Sequence, residues 1–151
     1  SQTKDMNCFK LYLSDIGLFT TMLFNDTQNG IADIYRKLLS DALSADLGYL
    51  YENVVAQLIK ASGRDLYYHT WKKEGSTHSF EVDFIVTSKN KVIPMEVKSS
   101  AVKNHKSIDA FEKKYSKYVG ERYLLSQKDV GKVGTLKLKP VYMIGFLLKD
   151  L

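Results

Sequence analysis

One stretch restricts the fold more than any other. Residues 80–98, FEVDFIVTSKNKVIPMEVK, hold two runs of alternating side chains around a short polar turn. Successive side chains of a strand point to opposite faces. In 80–87, Phe80, Val82, Phe84 and Val86 share one face, and Glu81, Asp83 and Ile85 the other. In 91–98, Ile93, Met95 and Val97 share one face, and Val92, Pro94, Glu96 and Lys98 the other. If Lys89 and Asn90 form a two-residue turn, Ser88 pairs with Lys91. Asp83 then falls opposite Glu96, and Glu81 opposite Lys98. An even, longer loop keeps this match and an odd one breaks it.

Facing carboxylates repel across a ladder. That cost is offset if a divalent cation sits between them. Mg²⁺ prefers hard oxygen ligands and commonly takes one or two protein carboxylates plus water. Lys98, on the same face, would orient an attacking water or stabilise an anionic phosphate. Such a set suits metal-assisted phosphodiester hydrolysis. The plainer alternative is a solvated sheet face with Glu81–Lys98 as an ordinary cross-strand ion pair.

Upstream, FKLYLS (9–14) alternates like a short strand. Ser14 or Asp15 would cap a helix over 17–24. A turn at 25–30 leads to a helix over 31–43. Leu47, Leu50, Tyr51, Val54, Val55 and Leu58 recur at helical spacing over 47–61, and Gly63 is a natural stop. Glu52 is the one charged side chain between Leu47 and Ile59, with Gly48 and Ala56 on its stripe. It would add a third carboxylate, directly or through water, or else snorkel from the edge of the apolar face. Downstream, the pattern reads as strand 65–71, the hairpin, helix 107–118 and strands 121–126 and 133–138. Pro140 opens an apolar segment whose type the pattern leaves open. From residue 47 the order is helix, three strands, helix, strand, a mixed α/β arrangement.

Other residues carry weaker signals. Glu81 would assist a cation if it did not pair with Lys98. Ser99 and Ser100 would contact phosphate or simply end a strand. His69 reads as structural. Trp71, Tyr67 and Tyr68 would pack in a core before stacking on bases. Lys103, His105, Lys106, Lys113, Lys114 and Lys117 form a phosphate-tracking surface or a solvated one. The net charge of +5 is compatible with nucleic acid without requiring it. No apolar run approaches the ~20 residues that span a membrane. The single cysteine, Cys8, excludes an intrachain disulfide, and the three histidines lack zinc-ligand spacing. A cytoplasmic location is expected. GKVGTLK (131–137) is not a phosphate loop. The polar SQTKDMN start, without an initiating Met, suggests an excised piece with a tag remnant at Ser1.

The residues KLYLSDIGL (10–18), LGYLYENVVAQLI (47–59), YYHTW (67–71), EVDFIV (81–86) and IPMEVKSS (93–100) resemble a bacterial and archaeal domain family of unknown function. It is found at the C-terminus of AAA+ ATPases. That family is similar to the PD-(D/E)XK, or restriction-endonuclease-like, superfamily. The resemblance implies a core of helix, three strands, helix and strand, with a mixed sheet flanked by helices. It makes residues 47–151 the nuclease-like domain and 1–46 a strand and helical extension packing toward an ATPase half. It assigns metal binding to Asp83 and Glu96, support to Glu52 and the catalytic lysine to Lys98. Val82 replaces the proline of the superfamily's PD pair. The implied activity is Mg²⁺- or Mn²⁺-dependent hydrolysis of DNA, with ATP bound only in the other half. A homo-oligomer is compatible with this reading. The alternative is a non-catalytic protein-docking domain that keeps the nuclease fold.

Overall fold

A two-residue turn closes the central hairpin. In the computed structural model of the chain, which describes residues 9–24, 48–99 and 105–151, Lys89 has φ 52° and Ser88 pairs with Lys91. The expected register therefore holds along β3 (Phe84–Ser88) and β4 (Lys91–Val97), with Phe84 opposite Met95. β4 continues in parallel to β5 (Arg122–Ser126), which pairs in parallel with β7 (Leu136–Pro140). β6 (Gly131–Val133) closes the far edge antiparallel to β7, so GKVGTLK is a hairpin. The mixed five-stranded sheet runs β3-β4-β5-β7-β6.

Helices cover both faces, which is what parallel strands require. On one face lie α2 (Gly48–Ala61) and the C-terminal α4 (Ile144–Asp150), reached through a 3₁₀ turn at Val141–Met143. Val55, Ala56 and Ile59 of α2 meet Phe84, Val86, Met95 and Leu125 of the sheet and Ile144 and Leu148 of α4. On the other face lies α3 (Lys106–Tyr115), the crossover between β4 and β5. Its Phe111 and Tyr115 pack with Val82, Ile85 and Val92, and its Ile108 with Leu124 and Leu136. Gly63 ends α2 at φ +80°, with Gly63 N–H donating to the Lys60 carbonyl and Arg64 N–H to that of Ile59. This paired closure satisfies carbonyls a helix end leaves open.

Several expectations need correction. The run 80–87 is not one strand: it bends at Asp83. β2 (Ser79–Val82) leaves the main sheet to pair with β1 (His69–Lys72), a strand shorter than the expected 65–71. Val82 consequently packs under α3 while Phe84 packs under α2, so the two do not share a face. Glu81 lies opposite Thr70, not Lys98. Four strands rather than three precede α3, and α3 stops at Tyr115, leaving Tyr118 exposed.

Residues 9–13 form no strand. The buried Asn53 side chain holds them instead: its Oδ1 accepts Leu13 N–H at 2.8 Å and its Nδ2 donates to the Leu13 carbonyl at 2.9 Å. Gln57 Nε2 donates to the Ser14 carbonyl at 2.7 Å. An amide side chain thus supplies the donor and acceptor that a neighbouring strand would have offered. α1 (Ile16–Phe24) follows, with Asp15 Oδ1 accepting Leu18 N–H at its start. The expected turn at 25–30, the helix over 31–43, Ser100 and Lys103 lie outside the described residues. Among the described residues no helix is long and apolar enough to cross a membrane.

Candidate metal centre

The bend at Asp83 builds the centre. Where β3 stops pairing with β4, the Val97 N–H would lack a backbone acceptor. Asp83 Oδ2 accepts it at 2.9 Å, in a buried hydrogen bond. The carboxylate is thereby fixed by the main chain of β4, and its Oδ1 faces Lys10 Nζ at 3.3 Å. Two residues earlier, Glu81 Oε1 meets the same ammonium at 2.5 Å. From α2, Glu52 Oε2 reaches it at 3.3 Å and also accepts the Tyr12 hydroxyl at 3.3 Å. Three carboxylates from α2, β2 and the bend therefore converge on one cation carried by the N-terminal strap.

Glu96 stands on β4 beside this group. Its residue is 4 % exposed. Oε1 pairs with Lys98 Nζ at 2.6 Å, while Oε2 is buried with no hydrogen-bond partner. Lys98 donates its own N–H to the Leu125 carbonyl, which fixes the root of its side chain at the C-terminal end of β4. Ser99 Oγ would lie 3.8 Å from a Cβ at Gly48, an ordinary contact, so the expected close approach on the Glu52 stripe does not depend on the glycine.

The electrostatics are those of a crowded acidic site. Burial pushes Glu52 above the usual carboxylate range, and the Asp83 charge adds to it; Lys10 and Tyr12 offset only part. Burial likewise raises Glu96, with the Asp83 charge adding and Lys98 opposing. Burial disfavours the Lys10 ammonium, but the Glu81 hydrogen bond and the Asp83 and Glu52 charges outweigh it and hold Lys10 above the usual lysine range. Lys10 is therefore a permanent positive charge within the centre.

All four residues expected from the sequence, Glu52, Asp83, Glu96 and Lys98, belong to this region, in two linked halves: Glu52 and Asp83 meet at Lys10, and Glu96 meets Lys98. Glu81 joins the first half. Lys10 and Tyr12 were not expected there. Their signal was their spacing, two apart in an alternating segment. His69 is structural: its Nε2 lies 3.0 Å from the Tyr115 hydroxyl and its ring stacks on Trp71.

Among the described residues, no three Asp, Glu, His or Cys side chains are arranged to hold a metal ion by themselves. A Mg²⁺ or Mn²⁺ ion that takes one or two carboxylates plus water needs no such trio. Four carboxylates face two ammoniums here, and one deeply buried oxygen has no donor. These hard-oxygen donors are of the chemical kind that a divalent cation takes.

Residues 47–135 match the domain of unknown function DUF4143, a family of C-terminal domains often found with AAA ATPases. The match covers more than half of the chain. The chain belongs to the DUF4143 family. Glu52, Glu81, Asp83, Glu96 and Lys98 fall within the matched part of this DUF4143 chain, and Lys10 falls before it. No curated protein matches the chain.

Proposed function

We propose that this DUF4143 domain is a nuclease-like centre that hydrolyses phosphodiester bonds in DNA with a divalent cation, Mg²⁺ or Mn²⁺, and that it works beside an ATPase in a longer protein. The observation that carries the reading is Glu96 Oε2, a buried carboxylate oxygen without a donor, one residue from the Val97 N–H that fixes Asp83. A buried polar atom left unpaired costs stability, and a site for a hard cation is a physical reason to keep one. The order α2, β3–β4 hairpin, α3, β5 supports a restriction-endonuclease-like core, with Val82 in place of the proline before the first acid.

Asp83 and Glu96 would hold the cation, and Glu52 would support it directly or through water. When bound, the cation supplies Lewis-acid polarisation and a water that ionises near neutral pH. Lys98 stands at the rim, a third exposed. From there its ammonium orients a water and balances charge that develops on the phosphate. Asp83 keeps its geometry because a main-chain N–H, rather than a mobile side chain, fixes it.

A second reading, a non-catalytic docking domain, has one observation of its own. Phe9, Leu11, Leu18 and Met22 are exposed apolar side chains on the strap and α1. The test separates the two. Under the nuclease reading, Mg²⁺ or Mn²⁺ raises the melting temperature by several degrees, and Asp83→Asn abolishes the rise. Asn can still accept the Val97 N–H, so the variant is expected to keep the fold. Plasmid or branched DNA is cut with Mn²⁺ by the wild type and not by Lys98→Ala. No metal-dependent shift and no product from the wild type would leave the docking reading.

A further inference from the structure

The strap that carries Lys10 is fastened more firmly than a surface segment needs. Asn53 grips Leu13 through both backbone groups, Gln57 holds Ser14, and the Tyr12 ring lies 5.5 Å from that of Phe84 in the core. This anchorage ends two residues from Lys10. What it delivers is one ammonium, 2.5 Å from Glu81 and 3.3 Å from both Glu52 and Asp83. That nitrogen takes up the oxygens a divalent ion would share. Its side chain is a flexible four-carbon stem, so it can withdraw without the strap leaving Asn53.

We propose that Lys10 is a built-in competitor for the divalent cation. Its ammonium is shared by Glu52, Glu81 and Asp83, offsets one of their charges and restricts the incoming ion to the Asp83–Glu96 side. Lys10 thus sets how tightly, and through how many carboxylates, the centre takes a metal. This rests on the reading of the region as a cation centre, and it assigns the strap a regulatory part in it. Electrostatics supports the competition: an ammonium a few ångströms from an incoming cation in a partly buried site repels it. Removing the charge while keeping the length of the side chain is the simplest way to vary it.

The experiment is Mn²⁺ titration by calorimetry on the whole chain, comparing wild type, Lys10→Met, Lys10→Gln and Lys10→Arg. Removing the charge is expected to tighten Mn²⁺ binding at least about tenfold, and Lys10→Arg to leave it near the wild-type value. Adding Glu81→Gln to Lys10→Met should take much of the gain back, because Glu81 is a ligand only once Lys10 is gone. Lys10→Gln retains a hydrogen-bond donor and serves if Lys10→Met does not fold. In the unaltered protein, diamagnetic Mg²⁺ should shift the NMR signal of the Lys10 ammonium. A merely structural lysine would lower the melting temperature without changing metal affinity. Equal affinity in wild type and in the folded neutral variants, with metal bound in both, overturns the role of Lys10 and leaves the cation centre standing. Binding in the neutral variants alone supports Lys10 and overturns the wild type's metal-dependent activity. Binding in none overturns both.

Discussion

Two charged clusters sit on this sheet, and they solve opposite problems. At Arg122, on β5, a buried guanidinium gives its two Nη groups to partners that α3 and the β6–β7 turn bring to it, while its buried Nε has no partner. Nη1 reaches Asp109 at 2.7 Å, and Nη2 reaches Glu112 at 2.8 Å and the Thr135 hydroxyl at 2.6 Å. Asp109 and Glu112 are 45 % and 37 % exposed, so water completes their shells. Burial pushes Asp109 up, but the Arg122 and His105 hydrogen bonds outweigh it and hold the carboxyl below its usual range. In the acidic centre the carboxylates are the buried members. Asp83 and Glu96 side chains are 11 % and 5 % exposed, and Glu52 and Glu96 are pushed up rather than down. The Arg122 cluster therefore favours its charged form and ties α3 to β5. In the acidic centre burial disfavours the charged forms of Glu52 and Glu96. Retaining such a penalty is expected where a group is kept for chemistry rather than for stability.

The largest effect should come from the cluster built for stability. Arg122→Ala strips a buried side chain of its packing and three strong hydrogen bonds, and is expected to cost about 3 kcal/mol in denaturant unfolding. It should change the Mn²⁺ response of the acidic centre far less, because Arg122 bears on Glu96 through two intermediates, Asp109 and His105. A loss of metal response together with stability would break the separation of the two regions.

Asn53→Ala comes next. It leaves the Leu13 N–H and carbonyl without their partner and should cost about 2 kcal/mol. Unlike Arg122→Ala, it should also change the acidic centre, since the strap is what brings Lys10 there. Proteolysis or hydrogen exchange at residues 9–14 should rise, and Mn²⁺ binding should tighten in the same direction as in Lys10→Met. Unchanged exchange at Leu13 would show that the amide clamp does not hold the strap.

The contrast also marks what the sequence disclosed. The hairpin register was legible because period-2 alternation and a two-residue turn are local constraints that agree. Phe84–Met95 and Ser88–Lys91 follow from them directly. The acids at Asp83 and Glu96, the lysine at 98 and the helix Glu52 were legible by chemistry and spacing. The bend at Asp83 was not, because nothing in FEVDFIV interrupts the alternation. It arises when β2 finds a better partner in β1 and the Asp83 side chain replaces the missing ladder acceptor. That switch sends Glu81 away from Lys98 and toward Lys10. The strap was misread as a strand for a related reason: its backbone partner is a side chain, Asn53, about forty residues along the chain. A polar residue buried within an apolar helix face was the available hint, since such an amide needs a partner.

The smallest effect tests the sign of the comparison. Glu96 has its carboxyl raised by burial in the folded protein. A group with a raised folded-state pKa contributes full stability below its unfolded value, and that contribution is lost as pH rises through the folded value. Ionised Glu96 is therefore a net cost at neutral and alkaline pH, despite Lys98. Glu96→Gln keeps the shape, cannot ionise, and offers an amide where Oε2 now lacks a partner. It should stabilise the fold by about 1 kcal/mol at neutral pH, and this advantage should shrink on acidification and vanish near about pH 4, where the unfolded glutamate is itself protonated. The same substitution should weaken Mn²⁺ binding. Asp109→Asn, on the other cluster, should behave oppositely: its folded-state pKa is depressed, so it should destabilise above the unfolded aspartate value, with the loss fading as pH falls through the folded one. Chemical denaturation of both variants across pH measures the two slopes. A Glu96→Gln variant that is less stable than wild type at neutral pH would place Glu96 among the structural ion pairs and remove the physical distinction between the clusters.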